Sequence, residues 1–96
     1  MPTSDEIRAK LIEVISAILL ESGEAEPALT AKSRPLKDAK GFDSPLGVVV
    51  TGVVASELGI DIPLDLNIFV DDKKKALTID ESTALVYGLL KNGSGK

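Results

Sequence analysis

Apolar residues recur at three- and four-residue spacing near the start of the chain. Between Ser4 and Ser22 they form one face: Ile7, Leu11, Val14, Ile15 and Ile18. This spacing is that of the buried side of an α-helix. Thr3 or Ser4 can cap its start, acidic residues follow at its positive end, and Gly23 suits its end. The pattern predicts a first helix over 4–22.

A second apolar stretch, from Pro45 to Leu58, is ambiguous by propensity alone. Its valines favour a strand, and Gly52 costs a helix about 1 kcal/mol relative to alanine. However, Ser44 is a good N-cap, Pro45 is tolerated in a first helical turn, and Gly59 can end a helix. In a helix, one face would carry Leu46, Val50, Val53 and Val54. We therefore predict a helix here, capped by Ser44.

A capping box marks the start of the last predicted helix. Thr78 and Glu81 have the spacing at which each side chain satisfies the backbone N–H of the other. The expected buried stripe after them is Leu85, Val86, Leu89 and Leu90. Residues 92–96 are polar and contain two glycines, which predicts a flexible tail.

Two connections complete the predicted fold. Residues 24–42 contain prolines and scattered basic residues, and we expect a long ordered loop. Its expected anchors in the core are Ala28, Leu29 and Leu36. Residues 62–77 are expected to contain a short helical turn over Leu64–Val70 before a charged run. The predicted fold is therefore all-α, a small four-helix bundle with three main helices and a short third helix. It forms a single domain over 1–96, ordered over about 4–91.

Composition and charge limit the function. Apolar residues are 44% of the chain, enough for a folded core at this length. The chain has no cysteine and no run approaching the about 18 apolar residues of a membrane span, so a cytoplasmic protein is expected. The net charge is −4, and residues 41–72 include six acids and no lysine or arginine. Such a surface repels nucleic acid and favours basic protein partners.

Ser44 is the candidate functional residue. It lies at the expected start of the second helix, in the run Gly41-Phe42-Asp43-Ser44-Pro45-Leu46. A catalytic serine needs a base, and the chain has neither histidine nor cysteine. For acid–base work only carboxylates, lysines and Tyr87 remain, so no independent enzyme is predicted. The spacing of the carboxylates fits no Ca²⁺ loop, so no metal site is predicted either. The pattern indicates a serine that another protein modifies.

The order of elements and motifs resembles the acyl carrier protein family. The resemblance covers about Asp5 to Leu90 and includes the Gly-x-Asp-Ser motif, the second helix after it, and Ile62-Pro63. The distance from Ser44 to Ile62-Pro63 matches the family pattern without a gap. The resemblance implies that Ser44 receives 4′-phosphopantetheine from coenzyme A through a magnesium-dependent phosphopantetheinyl transferase. The thiol of this arm would carry acyl groups between enzymes as thioesters.

The resemblance also implies partners and supporting residues. Besides the transferase, the expected partners are ketoacyl synthases, acyl-ACP ligases or acyltransferases, and the carrier itself is expected to be a monomer. Free backbone N–H groups at the helix start would favour the phosphodiester anion. Asp43 would be a charged handle for the transferase, and Gly41 would allow a close approach of the backbone. An acid before the serine resembles the carriers of fatty-acid and polyketide pathways.

Three features depart from the family pattern. Pro45 stands where the family usually has leucine. The second helix has no charge before Glu57, whereas carriers usually line it with glutamates. The segment between Pro63 and Thr78 is several residues longer than usual. These departures predict a specialised carrier with a restricted set of partners, whose docking depends less on charge.

Other interpretations of the same residues stay open. Ser44 alone also fits a plain helix cap, and the chain could be a carrier-like helical interaction protein that is never modified. The candidates for partner or acyl contact are Phe42, Leu46, Val49, Val50, Val53 and Ile62. For Val49, burial in the core and an exposed docking face or pocket wall are equal alternatives. For Phe42, packing under the loop is favoured over contact with the arm.

Overall fold

Four α-helices make up most of the described chain, which a computed structural model gives as residues 3–24, 28–62 and 66–93. They are α1 (Ser4–Glu21), α2 (Pro35–Asp38), α3 (Ser44–Leu58) and α4 (Ile79–Gly93). The first helix packs against both α3 and α4. In these ranges no helix has the length and apolar character needed to cross a membrane. The predicted all-α bundle of three main helices and one short helix is confirmed.

The first helix begins with a capping box. The Thr3 hydroxyl accepts a hydrogen bond from the Glu6 backbone N–H (3.2 Å), and the Glu6 carboxylate accepts one from the Thr3 N–H (3.0 Å). Thr3 is therefore the cap, and Ser4 is the first residue of the helix. The buried face consists of Ile7, Leu11, Val14, Ile15 and Leu19. Ile18, which was predicted on this face, is only partly buried against the core.

The last helix begins with the predicted capping box. The Thr78 N–H donates to the Glu81 carboxylate (2.8 Å), and the Glu81 N–H donates to the Thr78 hydroxyl (3.0 Å). Val86 and Leu90 of the predicted stripe are buried, whereas Leu85 and Leu89 are half-buried. The remaining buried positions of this face are Ile79, Ser82 and Thr83. Of the predicted tail, residues 94–96 lie outside the described residues, and 92–93 belong to α4.

The short helix lies in a different connection from the predicted one. α2 falls inside the predicted loop over 24–42, and its first residue, Pro35, has the fixed φ of a helix start. The turn predicted over Leu64–Val70 is not helical in its described part, 66–70, and 63–65 lie outside the described residues. Val70 instead forms an antiparallel bridge with Ala76.

A tight turn around Asp71 follows Val70 and leads to Ala76. The Asp71 carboxylate accepts hydrogen bonds from the backbone N–H groups of Lys73 (2.9 Å) and Lys75 (2.8 Å). Such side-chain bonds to nearby backbone stabilise a turn in competition with a helix. Lys74 has a φ of 62°, in the left-handed region that few residues other than glycine adopt. The 70–76 segment is therefore a hairpin-like turn.

The start of α4 holds the long connection in place. The N–H of Ile79 donates to the Ser33 carbonyl (2.8 Å), and that of Asp80 donates to the Ala31 carbonyl (2.9 Å). Leucines 29 and 36 pack against the core as predicted, whereas Ala28 is exposed. In the described part of the connection, 28–42, residues 31 and 33 are therefore held in place by otherwise unpaired donors of a helix end, and residues 25–27 lie outside the described residues.

We expect acid to weaken the starts of α1 and α4. Hydrogen bonds from the Thr3 and Thr78 backbone hold the pKa of Glu6 and of Glu81 below the ordinary value. Both carboxylates therefore stabilise the fold fully above the ordinary glutamate pKa of about 4.3. This stabilisation disappears as the pH falls through the lowered pKa values, so the melting temperature should fall over that range.

Glutamine at both positions provides the control. It keeps a capping acceptor but does not titrate. The double variant Glu6→Gln, Glu81→Gln should therefore lose part of the acid-induced fall in melting temperature, followed by circular dichroism. An acid response equal to that of the unchanged chain would show that the two boxes do not contribute to it.

Candidate functional site

Ser44 occupies the first position of α3 with its side chain exposed. The residue before it, Asp43, has extended backbone (φ −116°, ψ 179°), and its carboxylate accepts a hydrogen bond from the Leu46 N–H at 3.0 Å. The cap is therefore Asp43, and the prediction that Ser44 caps this helix is wrong. Both residue types cap helices well, but the aspartate stands where its side chain reaches the third amide. The Ser44 hydroxyl is thus left out of the capping.

The start of α3 offers an anion few backbone donors. Pro45, the second residue of the helix, has no N–H, and the Leu46 N–H is already bound by Asp43. Among the first three positions, Ser44 alone keeps a backbone N–H that the described residues do not use. The sequence led us to expect several free N–H groups for a phosphodiester at this helix start. Over residues 44–46, only the N–H of Ser44 remains for it.

Asn67 fastens a distant segment to the start of this helix. Its side-chain amide donates to the Ser44 carbonyl (3.1 Å), and its side-chain oxygen accepts from the Phe69 N–H (2.9 Å). A Cβ atom at Gly47 would lie 2.7 Å from both polar side-chain atoms of Asn67. Glycine is therefore what allows this contact. Nothing in the local sequence pattern indicated Asn67, because the contact joins residues 23 positions apart.

A buried threonine makes the next contact along the same two segments. The Thr51 hydroxyl donates to the Gly47 carbonyl (2.8 Å) and accepts from the Ile68 N–H (3.2 Å). Thr51 is 1% exposed, so water does not compete for these bonds. Together with Asn67, it fixes the 67–69 segment along the first two turns of α3.

The residues just before the cap are also fixed. Gly41 has a φ of 88°, which favours glycine, and a Cβ there would lie 2.8 Å from the Glu24 Cγ. Phe42 is 4% exposed, and its ring meets that of Phe69 edge to face, with 5.3 Å between the centroids. Phe42 thus packs under the loop that leads to Ser44.

The other apolar candidates separate by burial. Val50 and Ile62 are buried, and Leu46 and Val53 are partly buried against the core. Val49 is 53% exposed, so it does not belong to the core. Of the two alternatives for Val49, the exposed apolar face is the one that its position fits.

A cleft of about 530 Å³ opens beside Ser44. It lies between α2, the start of α3 and the 67–76 segment. Its apolar lining consists of Leu36, Pro45, Val48, Val70 and Ala76. Its polar lining consists of Lys37, Ser44, Asn67 and Lys74. The guanidinium of Arg34, just before α2, donates to the Ala76 carbonyl (2.6 Å) and joins two walls of the cleft.

The fold brings positive charge to a serine that lies in an acidic part of the sequence. Residues 41–72 contain no lysine or arginine, but Lys37 and Lys74 flank that stretch and line the cleft with Ser44. Among the described residues, neither ammonium group forms an ion pair with a carboxylate. The other two cations of the turn, Lys73 and Lys75, are exposed, as Lys37 and Lys74 are, but they do not line the cleft.

Within the described ranges, no cluster of three or more acidic side chains is placed to hold a metal ion. No family model matches the chain, and no curated protein or solved structure matches it either. The functional interpretation therefore depends on the residues and geometry of the Ser44 site.

Two glycines of α3 provide a test of the Asn67 contact. Alanine at Gly52 meets no atom within 4 Å and should raise the free energy of unfolding by about 0.5–1 kcal/mol. Alanine at Gly47 has the same intrinsic benefit but displaces Asn67, which loses two hydrogen bonds of about 0.5–1.5 kcal/mol each. Gly47→Ala should therefore be less stable than Gly52→Ala by about 1–3 kcal/mol.

Urea unfolding of the two variants measures this difference. Amide chemical shifts of Asn67 and Phe69 should change in Gly47→Ala and stay constant in Gly52→Ala. Equal stabilisation by both substitutions, with unchanged Asn67 shifts, would show that the contact does not position the start of α3.

Proposed function

We propose that this chain is an acyl carrier and that Ser44 is the attachment residue for 4′-phosphopantetheine. The observation that carries the proposal is an exposed serine, directly after a helix cap, that shares a cleft with two lysines. Ser44 is free for reaction because Asp43 supplies the cap in its place. The whole-chain resemblance to acyl carriers supports the same assignment.

The residues around Ser44 fit the chemistry of the attachment. The serine oxygen would form a bond to the phosphorus of coenzyme A, and the bond to the adenosine bisphosphate leaving group would break. The proton of the serine would go to a base of the transferase, since the chain has no histidine of its own. Because Ser44 is exposed and its backbone carbonyl is held by Asn67, a transferase can reach the hydroxyl of a serine whose backbone is held in place.

Asp43 has two roles in this proposal. Its carboxylate caps α3 and so determines which residue stands first in the helix. The side chain also remains exposed, so its negative charge is accessible to a basic surface of the transferase. Asp43→Ala should slow modification, and it should also lower the free energy of unfolding by about 1 kcal/mol.

The exposed side of α3 supports a carrier whose docking depends little on charge. Val49 is exposed in the middle of a stretch, 45–56, that has no ionisable side chain. Partner enzymes of the fatty-acid or polyketide type would then contact an apolar surface more than an acidic one. The same exposed surface also fits the alternative, an unmodified helical interaction protein.

Mass measurement after modification tests the proposal. The protein is incubated with coenzyme A, Mg²⁺ and a transferase of broad specificity. We expect a gain of one phosphopantetheine in the unchanged chain and none in Ser44→Ala. The matched control is Ser56→Ala, which removes another exposed serine of the same helix and should still gain the arm.

Two results would contradict the proposal. One is an unmodified chain under conditions that fully modify a known carrier, which would favour the interaction protein. The other is an equal mass gain in Ser44→Ala, which would place the modification elsewhere.

A further inference from the structure

We propose that Lys37 and Lys74 bind the phosphodiester of the arm, and that the cleft beside Ser44 is the docking site of the part of the arm next to it. This inference rests on the proposed attachment at Ser44. It adds a resting position for the arm and names the residues that hold it there.

The start of α3 is poorly suited to neutralise the phosphodiester by itself. Pro45 removes one backbone donor, and Asp43 occupies that of Leu46. The Asp43 carboxylate also places a negative charge beside the anion. A helix start usually stabilises an anion through several unpaired N–H groups. Here most of that stabilisation is missing from the first three positions, so cationic side chains nearby are the remaining source of it.

Two lysines from different segments of the chain line the cleft and can supply this charge. Lys37 belongs to α2 and Lys74 to the turn after Val70, and both line the cleft that contains Ser44. Their backbones are held in place. The Lys37 N–H donates to the Arg34 carbonyl (2.9 Å), and the Lys74 N–H donates to the Asp71 carbonyl (3.0 Å).

Neither lysine is committed to another ion pair among the described residues. Arg8, Lys10 and Arg34, in contrast, each pair with a carboxylate. A phosphodiester carries one negative charge and two non-bridging oxygens. Two ammonium groups that line the same cleft offer one donor for each of these oxygens.

The shape and lining of the cleft also fit the arm. Its volume of about 530 Å³ lies within the range of about 300–1,000 Å³ that small-molecule sites occupy. Beyond the phosphate, the arm continues with a carbon that carries two methyl groups. Apolar side chains from both sides of the cleft, including Val48 and Val70, are available to bury these methyl groups.

The turn itself supplies a matched control. Lys73 and Lys75 lie on the same turn as Lys74 and carry the same charge, but they do not line the cleft. The double variant Lys37→Gln, Lys74→Gln removes two charges from the cleft. The double variant Lys73→Gln, Lys75→Gln removes two charges from the same turn, outside the cleft. Both variants leave the buried core unchanged.

Nuclear magnetic resonance of the arm-bearing protein tests the inference. The samples are the unchanged chain and the two double variants, each with and without the arm, after mass measurement has shown complete modification. In the unchanged chain, the arm should shift the amide signal of Ser44. It should also shift those of Val70 and Ala76, which belong to the 67–76 segment of the cleft. The phosphorus-31 shift should differ from that of the same arm-bearing protein unfolded in urea, which has the same phosphodiester but no cleft.

The variants separate binding from mere proximity. In Lys37→Gln, Lys74→Gln, most of the amide shift of Val70 and Ala76 should be lost, and the phosphorus-31 shift should move towards that of the unfolded arm-bearing protein. In Lys73→Gln, Lys75→Gln, both signals should stay as in the unchanged chain.

The outcomes also separate this inference from the proposed function. If Ser44 accepts the arm but only Ser44 and its chain neighbours shift, the arm does not dock in the cleft and this inference alone fails. The same holds if the two double variants respond alike. If Ser44 never accepts the arm, the proposed function fails and this inference fails with it.

Discussion

The close approach of the 67–69 segment to the start of α3 is the constraint on which the Ser44 site depends. It is possible only because Gly47 has no side chain in the way. Once this contact forms, Asn67 holds the Ser44 carbonyl, and Thr51 binds the same segment one turn further along the helix. Phe69, in the same segment, packs against Phe42 and so holds the loop that leads to Ser44. The absence of a side chain at Gly47 thus allows the contacts that connect Ser44, the loop before it and the 67–69 segment of the cleft.

The parts of the fold that local patterns predict are those that local interactions stabilise. The capping box at Thr78 joins residues three apart, so its presence could be predicted directly from the sequence. The apolar face of α1 follows the same logic, with a shift of its last member from Ile18 to Leu19. The valine-rich helix is harder, because strand and helix preferences conflict within it. Tertiary packing decides the conflict, since a helix buries Val50 and Val54 against α1 and leaves Val49 exposed.

The parts that could not be predicted are those that depend on distant residues. The short helix α2 is only four residues long, too short for a periodic pattern, and the loop around it is held by amides of α4. Propensity alone does not tell whether Asp43 or Ser44 caps α3, because aspartate and serine are equally good caps. In the structure, the Asp43 carboxylate binds the Leu46 N–H and is the cap. The role of Asn67 depends on a contact across 23 positions. The position of Ser44 at the start of a helix could therefore be predicted, but its surroundings could not.

The surroundings change how the departure at Pro45 is understood. On sequence alone, the proline is only a difference from the usual leucine, in a stretch without any basic residue. In the folded chain it removes a backbone donor at the position where a phosphodiester would form. The same fold brings in lysines from both flanks of the acidic stretch, at positions 37 and 74. The site that lacks the backbone donor at Pro45 is therefore also the site that two lysines line. For the proposed phosphodiester, the positive charge would therefore come from long lysine side chains more than from fixed backbone donors of the helix start.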